Sequence, residues 1–363
     1  MPVRTFRKSD IPQVVNLYWQ HLVSRSGLPP TDMQSTFADL YFNSPWVGDH
    51  SPSFVYEDDH GEVLGFMGVI TRKMSFAGEC LRVGFAGNFV VHPKARSALA
   101  ASRLLEAMLS GNQDMLFTDS ANDISRKVLE RVGFKLIPSL NIHWSRPLKP
   151  SSYLVHAISR GLGAAVGMPF HLIGMPPAAL MDRVVAPRVN PLPQATGDIH
   201  TEDLSPKILL QCLREFNHGQ RLQTVYDCQS LQWLLNFMER NRRRGTLRKV
   251  LLRDKTHSLA GWYIYYVKPG NVGEVVHIGA AQPLSVQIIS AMLRDALRHG
   301  LIALHGMTAS DDVTSFSDAG CFFTCRGGWT LAQSRRSELI HLLMGGKTAF
   351  SRLDGEWCLN PGE

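Results

Sequence analysis

The stretch Gly87-Asn88-Phe89-Val90-Val91-His92-Pro93-Lys94-Ala95-Arg96-Ser97-Ala98-Leu99-Ala100-Ala101-Ser102-Arg103-Leu104-Leu105 decides the reading of this chain. Its apolar residues up to Val91 read as a strand, and His92-Pro93 ends it. Ala98, Ala101, Leu104, Leu105, Met108 and Leu109 then recur at helical spacing, predicting a helix over about 96–109. Small side chains at a helix N-terminus leave backbone N–H groups accessible, and the aligned peptide dipoles favour an anion there. The segment therefore predicts a phosphate-bearing ligand at the turn.

Working outward, residues 3–7 read as a strand. Ser9 is placed to cap the helix that follows, with Pro12 in its first turn and Val14, Val15, Leu17 and Tyr18 as its apolar face. A second helix is predicted over 31–42, and a hairpin over 53–71 turns at Asp58-Asp59-His60-Gly61. Strands at 81–91 and 115–118, a helix at 121–132 ended by Gly133, and a strand at 134–144 complete a β-α-α-β-β-β-α-β-α-β order. This places the end of a first domain near residue 147.

Residues 148–197 differ. Eight prolines between Pro147 and Pro193 punctuate an apolar stretch containing Gly161-Leu162-Gly163-Ala164-Ala165-Val166-Gly167. The segment reads as an interdomain linker with short helices; the alternative is a surface element contacting lipid or an acyl chain. Residues 198–363 repeat the earlier layout. Gly65-Phe66-Met67 corresponds to Gly261-Trp262-Tyr263, helix 98–109 to 286–297, and Gly133-Phe134 to Gly320-Cys321. The nearly constant offset indicates a tandem duplication, an internal pseudo-dimer.

Composition narrows the class. At 363 residues, two domains are expected. The net charge of +7 is spread along the chain, so no nucleic-acid partner is indicated. The densest basic cluster, Arg240 with Arg242, Arg243 and Arg244, closes a predicted helix and reads as a solvated helix end. Six cysteines lack the spacing of a disulfide scaffold or a zinc site, and no metal is expected. The N-terminus has no apolar signal core, and no run approaches about 18 apolar residues, so a cytoplasmic protein without a transmembrane segment is expected.

Val91-His92-Pro93, then Arg96-Ser97-Ala98-Leu99-Ala100-Ala101, then Asn122 and Gly133-Phe134, resemble the signature of the GNAT acyltransferase superfamily over residues 1–147. The whole chain is similar to tandem-domain bacterial GNAT proteins that end in Leu-Asp-Gly-Glu-Trp, here Leu353-Asp354-Gly355-Glu356-Trp357. The resemblance implies an α/β fold of two tandem GNAT-like domains, each a mixed, mainly antiparallel sheet flanked by helices. In the second domain the turn Gln282-Pro283-Leu284-Ser285-Val286-Gln287 has lost the glycines.

It further implies acyl transfer from acetyl-CoA or a longer acyl-CoA, as co-substrate, to the amine of a small-molecule acceptor. The backbone along Phe89, Val90 and Val91 would hold the pantetheine arm. Arg96, Ser97, Ala98, Leu99, Ala100, Ala101 and Asn122 would complete the donor site. Two positions depart from the family pattern: Leu99 replaces a glycine, and Leu129 stands where a general-acid tyrosine is usual. Fem-type transfer from aminoacyl-tRNA, a carrier-protein thioester donor, and a non-catalytic CoA-binding scaffold remain alternatives.

Asp119, following the strand beside the expected donor, is the candidate catalytic residue, with helix capping as its structural alternative. Glu57, Asp58 and Glu79 read as turn residues, His92 as part of the turn, and His143 as a sheet histidine. Asp354 and Glu356, alternating along a presumed strand, would share one face. There they would bind an amine or pair with Arg352, Arg335 or Arg336.

Overall fold

The computed structural model describes residues 3–23, 26–47, 52–184, 191–192, 199–216, 222–280, 286–325, 328–346 and 348–361. The second-domain turn at 282–285 lies outside them. The chain forms two compact units that interleave along the sequence. One comprises 1–141, 217–241 and 327–363; the other comprises 142–216 and 242–326. A boundary near 147 would instead make the domains consecutive.

Strands and helices are numbered in chain order. In the first unit they are β1 (Val3–Thr5), α1 (Ile11–His21), α2 (Met33–Phe42), β2 (Phe54–Glu57), β3 (Val63–Phe76), β4 (Glu79–Val91), α3 (Ala100–Leu109), β5 (Met115–Ala121), α4 (Asp123–Arg131) and β6 (Lys135–Leu136). The second unit contributes β7 (Ile142–Pro147), α5 (Pro150–Gly161), α6 (Gly163–Val184), β8 (His200–Asp203) and α7 (Pro206–Phe216). The chain returns to the first unit for β9 (Leu222–Thr224) and α8 (Cys228–Arg240). It then supplies β10 (Thr246–Arg253), β11 (Leu259–Val267), β12 (Val272–Ala280), α9 (Val286–Arg298), β13 (Ala303–Thr308), α10 (Val313–Asp318) and β14 (Phe322–Thr324) to the second. Finally β15 (Trp329–Ser334), α11 (Ser337–Met344) and β16 (Thr348–Ala349) lie in the first.

The first unit's sheet runs β1-β2-β3-β4-β5-β15-β6, with β9 joining the far end of β3 and β16 pairing β9. Only β4–β5 and the short β9–β16 pair are parallel among the described strands of this unit. One face packs on α3 and α4 through Leu104, Leu105, Met108 and Leu129. The other packs on α1 and α2 through Val14, Tyr18 and Phe37, and on α11 through Leu339 and Leu343. The second unit repeats the plan in the order β14-β7-β13-β12-β11-β10-β8, with β12–β13 as its parallel pair. Its core packs Ile289, Met292 and Leu293 of α9 on Val250, Tyr263 and Tyr265.

The repeats exchange their last strands. β15 pairs antiparallel with β5 and β6 of the first unit, and β7 pairs antiparallel with β13 and β14 of the second. The expected single strand over 134–144 is accordingly broken. Pro138 lacks an N–H to extend a ladder and opens a 3-10 turn, Pro138–Leu140. Asn141 then stands in for a strand residue: its Nδ2 donates to Ile137 O at 2.6 Å and its Oδ1 accepts from Thr330 N at 2.8 Å.

Two other expectations are revised. Ser9 does not cap α1; it lies in a 3-10 turn, Lys8–Asp10, and Asp10 Oδ2 accepts the Arg7 N–H at 2.9 Å. Helix α3 starts at Ala100 rather than near residue 96, because Pro93–Ala98 forms a 3-10 turn and Leu99 turns left-handed after it.

Candidate active site

The parallel β4–β5 ladder covers Val83↔Met115, Gly84↔Leu116 and Phe85↔Phe117, and ends there. Beyond it, Ala86 to Phe89 on one strand and Thr118, Ser120 and Ala121 on the other wall a cavity of about 410 Å³. Tyr18 and Leu22, Asn122, Ser125 and Leu129, and Asn360 close its remaining sides.

A bulge shapes the β4 wall. Phe66 pairs Val90 while Gly68 pairs Gly87, so Asn88 and Phe89 face the single residue Met67. Asn88 takes a left-handed φ of +55°, which asparagine tolerates better than most residues. Its Nδ2 donates to Tyr41 Oη at 2.9 Å, and burial pushes the Tyr41 hydroxyl pKa upward. Gly68 admits that ring: a Cβ there would sit 2.2 Å from Tyr41 Oη.

The C-terminal motif lies where the ladder stops. The Glu356 carboxylate accepts Thr118 Oγ1–H at 2.5 Å, the Asp119 N–H at 2.9 and 3.0 Å, and the Ser120 N–H and Oγ–H at 3.2 and 3.0 Å. Gly87 makes room for it, since a Cβ would be 2.9 Å from Glu356 Cγ. Asp119 is only 2 % exposed. Its Oδ1 accepts the Trp357 N–H at 3.0 Å, and Gly355 packs so closely that a Cβ would lie 1.9 Å from Asp119 Oδ2. Burial first, and the Glu356 charge second, raise the Asp119 pKa well above 3.8. Asp119 thus neither caps α4 nor lines the cavity; its neighbours Thr118 and Ser120 do the latter.

The rest of the motif is anchored within the same unit. Arg72 Nη1 donates to Leu353 O and Asp354 O at 2.9 and 2.8 Å, while its guanidinium lies 4.4 Å over the Trp46 ring. Asp354 accepts from Tyr226 Oη at 2.9 Å and from Ser351 N and Oγ at 2.8 Å. The expected shared strand face for Asp354 and Glu356 is not formed, because 352–356 is a chain of turns. Nor do they pair with the anticipated arginines. Arg336 bonds Glu79 and Glu338, and Arg352 stacks 4.3 Å over Trp357.

The segment forms β4, a 3-10 turn at Pro93–Ala98 and then α3 from Ala100. His92 Nδ1 accepts the Lys94 N–H at 3.1 Å, a turn-forming role. Leu99 sits at φ +57°, ψ 19°, with its side chain 64 % exposed, so the position usual for glycine is one that requires a left-handed residue. Ala95 and Ala100 are buried, and the side chains of Arg96, Ser97 and Ala98 lie outside the described ones. Phe89 lines the cavity, Val90 faces the α1–α2 core, and Val91 is partly buried. Asn122 lines the cavity and caps α4, accepting the Ser125 N–H at 2.8 Å.

The remaining candidates hold structural posts. Glu57 accepts from Arg4 Nε at 2.6 Å, Asp58 accepts the His60 and Glu62 N–H groups at 2.9 Å, and His143 stacks on His305. Among the described residues, no group of three or more His, Cys, Asp and Glu side chains is arranged to hold a metal ion. No helix there is long and apolar enough to cross a membrane. Tyr18, Thr118, Ser120 and the docked Glu356 were not singled out for this cavity by sequence. The sequence clue to the bulge is Gly87-Asn88, two poor strand formers inside a strand.

A family model described as the acetyltransferase (GNAT) family matches residues 12–134. No curated protein matches the sequence. Among solved structures, a conserved protein from Enterococcus faecalis V583 described as a "Probable N-Acyltransferase" superposes with TM-score 0.61 at 12 % identity, over 92 % of this chain and 72 % of that one. A GCN5-related N-acetyltransferase from Anabaena variabilis ATCC 29413 gives 0.58 at 10 % identity, over 93 % and 73 %. Saccharomyces cerevisiae N-myristoyltransferase with bound myristoyl-CoA and inhibitors gives 0.56 at 9 %, over 91 % and 79 %. With the splayed parallel strands and the turn before α3, the family match places a GNAT-type acetyltransferase domain at residues 12–134 of this chain.

Proposed function

We propose that the first unit transfers an acetyl or longer acyl group from an acyl-CoA thioester to an amine of a small-molecule acceptor, by direct attack. The observation that carries this reading is the cavity opened where the β4–β5 ladder ends, with the Leu99 turn and the α3 N-terminus on the same strand's continuation. The β4 edge past Phe85 has no ladder to β5, so its backbone groups are available to an extended pantetheine arm. The residues fit such a donor. Leu99 turns left-handed just before α3, and the first N–H groups of a helix have no intrahelical acceptor, so a diphosphate is favoured at this entry.

In this reading Phe89, Val90 and Val91 hold the arm, the 96–101 turn holds the diphosphate, and Asn122 borders the thioester end. A β4 backbone N–H polarises the carbonyl as charge develops on its oxygen. The amine attacks in its neutral form and loses its proton to water. With Leu129 in the cavity wall, the departing thiolate takes its proton from water or from the phenol of Tyr18, which lines the cavity; the Thr118 and Ser120 hydroxyls are committed to Glu356. Asp119 serves as a positioning residue that fixes β5 against Trp357. The second unit acts as a degenerate partner.

Thermal unfolding of the full chain with CoA, acetyl-CoA, longer acyl-CoAs, an acyl carrier protein thioester and aminoacyl-tRNA tests the donor. A true donor at about 100 times its dissociation constant stabilises by roughly 2.7 kcal/mol. Stabilisation by acyl-CoA, followed by amine-dependent release of free thiol, is the expected result. Stabilisation by aminoacyl-tRNA or the carrier thioester alone would move the assignment to those donors.

A further inference from the structure

Helices α5 and α6 form a hairpin within the second unit. They approach closely because small residues face the partner helix: a Cβ on Gly167 would meet Ser159 O at 1.9 Å, and one on Gly174 would meet Val155 Cγ1 at 3.0 Å. Asp182 seals the start of α5, accepting Ser151 N–H at 2.8 Å, Ser152 N–H at 2.9 Å and Ser152 Oγ–H at 2.6 Å.

The outer faces of this hairpin are unusual for an element in water. Leu154, Met168, Leu172, Ile173, Leu180 and Met181 are all exposed, Leu172 at 67 % and Ile173 at 77 %. Pro169, Pro176 and Pro177 lie inside α6. Charge is one-sided. Between residues 149 and 184 the charged side chains are Lys149, Arg160, Asp182 and Arg183, and the single acid is the buried capping residue. The exposed charge of the hairpin is therefore entirely positive.

A cavity of about 310 Å³ opens on the same element, lined by His156, Ser159, Arg160, Met168, His171 and Asn271 among others, with no carboxylate in its wall. The two imidazoles are 5.9 Å apart, and Ser159 Oγ lies 3.4 Å from His171 Nδ1. Burial, then the Arg160 charge, then His171 hold the His156 proton affinity below normal. An anion in the cavity would relieve that crowding.

We propose that the α5–α6 hairpin docks this chain onto an anionic phospholipid bilayer, its apolar outer faces entering the boundary between headgroups and acyl chains and the His156–Arg160–His171 cavity taking a lipid phosphate. Charge selects this occupant over a second copy of the chain, because two uniformly cationic hairpins repel while an anionic surface attracts them. Since neither helix spans, the hairpin lies in the plane of the interface. The inference stands apart from the acyl-transfer reading.

Flotation of the full chain with vesicles of phosphatidylcholine alone, and of phosphatidylcholine mixed with phosphatidylglycerol, tests it. Binding to the anionic vesicles, weakened by added salt and lost in Leu172→Glu/Ile173→Glu, is expected. Arg160→Gln should weaken binding by about fivefold, the share of one basic residue near an anionic surface. Circular dichroism establishes that the variants fold, and the salt dependence of the unmodified chain stands without them. Failure of the unmodified chain to float overturns the proposal. So does a concentration-dependent dimer abolished by the same double substitution, or stabilisation by inorganic phosphate without flotation.

Discussion

Glu356 accepts the backbone N–H of Asp119 through both carboxylate oxygens, at 2.9 and 3.0 Å, across a sequence separation of 237 residues. The C-terminal motif is thereby built into the splayed strands of the first unit, at the level where the β4–β5 ladder gives way to the cavity. Trp357 returns the contact by donating its N–H to Asp119 Oδ1. Burial and the nearby Glu356 carboxylate raise the Asp119 pKa, so this carboxyl holds its proton to higher pH than a free aspartate.

Removing the Glu356 carboxylate strands the buried Thr118 hydroxyl and the Asp119 N–H. Glu356→Ala is expected to cost about 2–4 kcal/mol in urea unfolding, more than a surface glutamate, because buried donors lose their partner. Unchanged stability would mean that the motif is not docked as described.

Asp119 titration sets the sign of a pH effect. Its folded-state pKa lies above the ordinary 3.8, so the native protein holds a proton that the unfolded chain has released. The stability from this site is complete below the ordinary value and is lost as pH rises through the raised one. Asp119→Asn keeps an acceptor for Trp357 N–H and removes the ionisation. The variant should be more stable than the parent at pH 8, with the difference shrinking toward pH 4. Parallel stability profiles would contradict the buried neutral acid.

Leu99 separates backbone from side chain in the turn before α3. Leu99→Gly removes a left-handed strain of about 1 kcal/mol at an exposed site, whereas Leu99→Val adds β-branching to it. Chemical denaturation should rank glycine above valine by about 1–2 kcal/mol. Equal stabilities would mean that residue 99 is not held left-handed in solution.

Strand exchange makes a prediction about fragments. Residues 1–147 lack β15, which pairs β5 and β6, and lack Leu331, Leu339 and Leu343 from the core. That fragment should show no cooperative thermal transition. A chain ended after Arg326 should lose the first unit's transition. Cooperative unfolding of the isolated 1–147 fragment would contradict the exchanged topology.

The fold's building blocks were legible because period and punctuation are local. Pro93, Gly61 and Gly133 mark their turns, and α3 shows its apolar stripe without reference to the rest of the chain. What sequence could not show was pairing. No strand is read from the sequence at residues 329–334, and nothing local there tells that this segment pairs with β5 and β6. The same holds for Glu356: its carboxylate is satisfied by Thr118, Asp119 and Ser120, whereas the sequence pattern pairs it with Asp354 for an amine or an arginine. Asp119 reads from sequence as the catalytic candidate beside the donor, and strand alternation alone does not reveal that its side chain turns to the motif and not to the cavity.

The central claim is that the cavity past Phe85 and Phe117 receives the reactive end of an acyl-CoA, and isothermal titration of acetyl-CoA tests it most directly. Ser125 lines the cavity from the first turn of α4 without belonging to the core, so Ser125→Trp fills the space and leaves the fold intact. One-to-one binding by the unmodified chain is expected, with at least about tenfold weaker binding by Ser125→Trp at an unchanged melting temperature, a loss of about 1.4 kcal/mol or more. No heat of binding to the unmodified chain, or equal affinity in the filled variant, would contradict it.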